Sequence, residues 1–204
     1  MINQPSKGKF IVLYGVNNLG KTTQAKLLVE NLIIQLSKKA EYIKYPVYKL
    51  QPSGPEIYNY LKQGNPHDLT PREFQFVQIL NRTQYEPTLK EKLDQGIWVV
   101  AEDYTGTGIA WGMATGVNKN LLYTMNSHLL NEDLGILFKG EPFPENLDKN
   151  NLHETDPALL KKTKMIFENI AKDFGWETIN ANQSKEDVQK EILQIVKNKI
   201  SYLE

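Results

Sequence analysis

The chain has 204 residues and a formal net charge of zero. That length suits one domain with a full-sized core, and the charge balance gives no overall attraction to nucleic acid or to an anionic membrane. The absence of cysteine excludes disulfides, thiolate metal sites and a cysteine nucleophile, and it fits a cytoplasmic location.

Met1–Lys9 is polar and has no signal-peptide core, and no later apolar run reaches membrane-spanning length. Phe10–Tyr14 is continuously apolar and reads as a strand; Lys21–Lys38 reads as a helix. Between them runs Gly15-Val16-Asn17-Asn18-Leu19-Gly20-Lys21-Thr22-Thr23, with the G-x-x-x-x-G-K-[ST] spacing of a P-loop. A loop that cradles phosphates must turn several backbone N–H groups inward, which glycines permit, and the following helix adds its unpaired N–H groups. The candidate phosphate-binding residues are therefore Gly15, Asn18, Leu19, Gly20, Lys21, Thr22 and Thr23. Lys21 is placed to reach the β- and γ-phosphates of ATP, and the Thr22 hydroxyl to ligate Mg²⁺.

Further along, Glu41–Tyr45 reads as a short strand, Tyr48–Pro55 as a loop and Glu56–Lys62 as a short helix. Thr70-Pro71-Arg72-Glu73 is a helix start, with a Thr cap, Pro at the first position and Glu where a capping box needs it. That helix is expected to run to Gln95, with a kink or break at Pro87. Ile97–Ala101 has the pattern of a fully buried strand, with Glu102-Asp103 at its carboxyl end. Leu134–Phe138 is another buried strand, and Lys139–Asp156 is a polar, lid-like loop. Pro157–Phe174 reads as a helix, Trp176–Asn180 as the last strand, and Ser184–Ile200 as an amphipathic helix capped by Ser184. Alternating strands and helices argue an α/β fold with a five-stranded parallel sheet flanked by helices. Ligands in such sheets sit beyond the carboxyl ends of the strands. The P-loop, Glu102-Asp103 and the loop at about 139–156 all fall there.

Taken together, these segments resemble thymidylate kinases, P-loop kinases that act on a nucleoside monophosphate. The resemblance covers nearly the whole chain. It rests on Leu13 to Gln24, on Tyr45-Pro46, on the Asn81-Arg82 pair, on Thr107-Gly108-Ile109-Ala110-Trp111, and on Asn180 to Ser184. It implies a single three-layer P-loop domain, ATP and Mg²⁺, transfer to dTMP, and a homodimer. It also implies acceptor contacts from Asn17, Lys49, Phe76, Arg82, Tyr104, Thr107 and Trp111, with Arg82 at the acceptor base. Ala181 and Asn182 fall where the family has a loop against the donor adenine. Lys21, Glu102 and Asp103 are the catalytic candidates, with Thr22 and one of the two carboxylates, by alignment Glu102, serving the metal.

The departures cluster on the acceptor side. The family's Asp-Arg-Tyr is here Glu102-Asp103-Tyr104, so an aspartate stands where an arginine meets the acceptor phosphate. Only two arginines occur, Arg72 and Arg82, and the lid loop has none. Lys49, Arg72, Lys139 and Lys149 are the candidate replacements. Gln78 aligns with the family's base-stacking phenylalanine, so Phe76 or Phe74 would have to turn inward. Trp111 reads equally as pocket wall and as core. Two further functions fit these departures: a kinase for an uncharged nucleoside or other alcohol, and a nucleotide-binding protein without transfer activity.

Overall fold

The computed structural model describes residues 7–143 and 156–200. Residues 144–155, which make up most of the expected lid and include Lys149, lie outside them. Five parallel strands form one sheet: β1 (Phe10–Tyr14), β2 (Ala40–Lys44), β3 (Trp98–Glu102), β4 (Leu134–Lys139) and β5 (Glu177–Asn180), in the order β2-β3-β1-β4-β5. Every residue of β1 and β3 is buried, as an apolar strand between two helical layers must be, whereas edge strand β2 mixes half-buried and exposed positions.

Helices α1 (Lys21–Leu36) and α7 (Lys185–Ile200) pack together on the sheet. Helices α3 (Pro71–Asp94), α4 (Thr105–Ala114) and α6 (Pro157–Phe174) build the other layer, with α2 (Ser53–Lys62) against α3 and α5 (Lys119–Asn126) against α4. The α3 capping box forms: Thr70 Oγ1 accepts from the Glu73 N–H at 3.2 Å, and Glu73 Oε2 accepts from the Thr70 N–H at 2.8 Å. Ser184 caps α7 by accepting from the Asp187 N–H at 3.1 Å.

The helices differ in part from the sequence expectations. Helix α3 continues through Pro87 without ending. An interior proline costs about 3 kcal/mol. Leu89 and Leu93, buried beyond it, each recover about 1.5–3 kcal/mol by leaving water. Helix α2 begins at Ser53, inside the stretch read as a loop. Helices α4 and α5 add to the expected elements; α4 forms despite three glycines, held by packing against α3 and α6, and α5 is capped by Asn118.

Candidate active site

Strand β1 ends where the P-loop begins. Gly15 has φ 133°, and a Cβ there would sit 2.8 Å from the Phe138 carbonyl oxygen, so only glycine fits. Gly20 precedes α1 with no side-chain cap, in contrast to Thr70, Asn118 and Asp156 ahead of α3, α5 and α6. The open N–H groups of the first turn of α1 are thus left for an anion. Lys21 is buried, and its Nζ donates to the Gly15 and Val16 carbonyls at 2.8 Å each. The same ammonium lies 3.7 Å from Asp103 Oδ1.

Glu102 closes β3 beside this loop. Its Oε2 accepts from Thr22 Oγ1 and from the Tyr42 hydroxyl, both at 2.7 Å, and its Oε1 accepts from Lys44 Nζ at 2.8 Å. Burial alone would raise the Glu102 carboxyl. Lys21 and Lys44, with hydrogen bonds from Lys44 and Thr22, outweigh it and hold the group below its ordinary value. Asp103 follows in the left-handed region at φ 63°, and its Oδ1 accepts from Thr107 Oγ1 at 2.9 Å. Burial pushes the Asp103 carboxyl up, and neighbouring Glu102 adds to this against the pull of Lys21. No group of three or more His, Cys, Asp or Glu gathers among the described residues, so there is no all-protein metal cage among them. The Thr22 hydroxyl on Glu102, with Asp103 adjacent, offers oxygen donors whose chemistry fits a hard cation that keeps waters and shares phosphate oxygens.

A cavity of about 240 Å³ opens beside these carboxylates. Asn17 lines it from the P-loop, Asp103 from the turn after β3, Thr107, Gly108 and Trp111 from α4, Gln78 and Arg82 from α3, and Lys44 and Lys62 from β2 and α2. Arg82 is buried and its Nη2 donates to Gln78 Oε1 at 3.0 Å; Nη1 lies 3.5 Å from Asn126 Oδ1. A Cβ on residue 108 would meet Arg82 Nη2 at 2.6 Å, so Gly108 makes room for the guanidinium. Trp111 is 5 % exposed and also lines the cavity, so it is wall and core at once.

Several of the residues expected at the acceptor do not line this cavity. Phe76 is 49 % exposed and does not line the cavity, and Phe74 is buried elsewhere, stacked on Tyr60 at 3.7 Å. Gln78 shares the inward face because it lies one helical turn from Arg82. Tyr104 is fully buried between Phe10 and Tyr45, with both ring distances 5.0 Å, and packs in the core behind the cavity. Lys49 and Arg72 lie outside the cavity, while Lys139 pairs with Glu168 at 3.0 Å. The lining cations from β2 and α2 are Lys44 and Lys62, which sequence reading missed. Strand pairing was the available signal, since Lys44 is the register partner of Glu102.

A second cavity, of about 270 Å³, lies on the other flank of the P-loop. Leu19, Gly20, Thr23, Phe143, Ala181 and Gln183 are among its lining residues. Asn182 is not one of them. Its Oδ1 accepts from the Glu141 N–H at 2.6 Å and its Nδ2 donates to the Glu141 carbonyl at 2.9 Å, tying the β5 turn to the chain after β4.

Residues 13–192 match the family model described as "Thymidylate kinase". The thymidylate kinase of Danio rerio is 31% identical over 208 residues, spanning 97% of this chain and 94% of that protein. That of Schizosaccharomyces pombe is 27% identical over 204 residues, spanning 97% and 95%. The solved thymidylate kinase structure from Candida albicans shares the fold, with a TM-score of 0.78 at 20% identity over 94% of this chain and 92% of that one. No described helix is long and apolar enough to cross a membrane.

Proposed function

This chain belongs to the thymidylate kinase family, and we propose that it moves the γ-phosphate of ATP to dTMP, yielding ADP and dTDP. The observation that carries this reading is the pair of cavities flanking one P-loop, Asn17 lining one and Leu19 and Gly20 the other. Phosphoryl transfer needs little covalent work from the protein; it needs donor and acceptor held in line and the charge between them offset.

In this reading the cavity at Leu19, Phe143 and Ala181 takes the donor base, and the open N–H groups at the start of α1 take the donor phosphates. Lys21 leaves its two carbonyl partners for the β- and γ-phosphates. Thr22 and Glu102 would hold Mg²⁺. When bound there, Mg²⁺ offsets the charge on the donor phosphate oxygens. The other cavity takes dTMP. Arg82, fixed by Gln78 and given room by Gly108, meets the base; Asn17, Thr107 and Trp111 line the remaining wall.

The charge balance of that cavity favours an anionic acceptor over an uncharged alcohol. Lys44, Lys62 and Arg82 line it against one carboxylate, Asp103. A coupled ADP-release assay with ATP and Mg²⁺ tests the reading across dTMP, dUMP, other monophosphates and thymidine. Turnover is expected with dTMP. Turnover with thymidine but not dTMP, or ATP binding without acceptor-dependent ADP, overturns it.

A further inference from the structure

The acceptor cavity poses a charge problem. Asp103, on its wall, would repel an incoming phosphate, and Glu102 precedes it directly in the chain. Some group must bring positive charge to this end of the cavity. Arg82 cannot: its guanidinium is buried against Gly108 and engaged with Gln78. Lys21 is buried on the donor side, held by the Gly15 and Val16 carbonyls. Lys62 closes α2, a helix that packs chiefly on α3 rather than on the strands.

Lys44 has the required placement. It is the last residue of β2 and pairs in register with Glu102, so its stem rises at the strand ends where the P-loop and both carboxylates converge. Its Nζ holds Glu102 Oε1 at 2.8 Å, yet its side chain is 49% exposed on the cavity wall. Glu102 does not depend on it alone, because Thr22 and Tyr42 both donate to the opposite carboxylate oxygen. An ammonium on a flexible stem can therefore turn toward a new anion while Glu102 stays held.

We propose that Lys44 is the acceptor-phosphate cation, kept on Glu102 until the phosphate arrives and then shared between the two. This rests on the function proposed above, and it explains how an aspartate is tolerated at position 103. Lys44 occupies the phosphate end and Arg82 the base end, so the two ends of the acceptor are read by different cations.

Calorimetric binding of dTMP and thymidine, without ATP or metal, isolates the phosphate contribution from turnover. The wild-type chain is expected to prefer dTMP. Lys44→Met should cut that preference about 10- to 100-fold, the span of one charge-assisted hydrogen bond, and leave thymidine binding within about two-fold. Lys44→Arg should restore most of the preference. Lys49→Met, outside the cavity, should leave it intact. An undiminished preference in Lys44→Met, or a wild-type chain that binds both ligands equally, overturns the assignment. Phosphate-dependent binding that is lost in Lys44→Met, in a protein that fails to turn over dTMP, would uphold Lys44 while sinking the kinase reading.

Discussion

The two flanks of the P-loop are built by different means. The donor side is mostly backbone: a glycine that nothing else can replace, an uncapped helix start, and Lys21 lying on two carbonyls. The acceptor side is mostly side chains from separate elements: Lys44 from β2, Gln78 and Arg82 from α3, Asp103 after β3, Thr107 from α4. Backbone geometry is dictated by short local patterns. Side-chain convergence depends on strand order and helix phase. The first kind of site leaves little room for variation, and the second can exchange an arginine for a lysine on a neighbouring strand.

Substitutions on each side should separate accordingly. The largest effect is expected from Lys21→Ala, which removes the donor-side cation: kcat should fall at least about 1,000-fold, or about 4 kcal/mol of barrier, in steady-state assays. Retained turnover would mean that the donor flank is not where transfer is supported. Gly108→Ala comes next and tests the acceptor flank alone. The added methyl displaces Arg82, so KM for dTMP should rise about 10-fold while KM for ATP moves less than about two-fold. Equal changes in both constants would erase the division between flanks. Thr70→Ala, in a capping box remote from both, should cost about 1 kcal/mol in denaturant unfolding without altering either KM. Phe76→Ala is expected to do least, leaving both KM values within about two-fold. A marked loss of dTMP affinity in that variant would return Phe76 to the base pocket.

The same division explains what is legible in the amino-acid order. The P-loop, its flanking strand and helix, the α3 capping box and the buried β3 run are local patterns, and each can be read directly. Phe76 misleads because its aromatic character outweighs helix phase. Residues 78 and 82 are four apart and share a face, whereas 76 and 82 do not. Lys44 is hidden because its partner Glu102 lies far along the chain and meets it only once β2 pairs with β3. Asn182 stands at the expected position, yet its amide is consumed by the backbone of Glu141 and is not offered to a base. Tyr104 lies beside the key carboxylates in sequence, but the left-handed turn at Asp103 sends it into the core.

Trp111 gives the molecule a property unrelated to its chemistry. The chain has three tryptophans. Trp98 opens β3, and Trp176 precedes β5 with its ring stacked on Tyr14 at 3.8 Å; neither lines the acceptor cavity. Trp111 lines the acceptor cavity at the carboxyl ends. Acceptor occupancy is thereby coupled to one indole, and the protein carries its own optical reporter: a change in tryptophan emission on adding dTMP that disappears in Trp111→Phe would follow loading of that cavity without any attached dye.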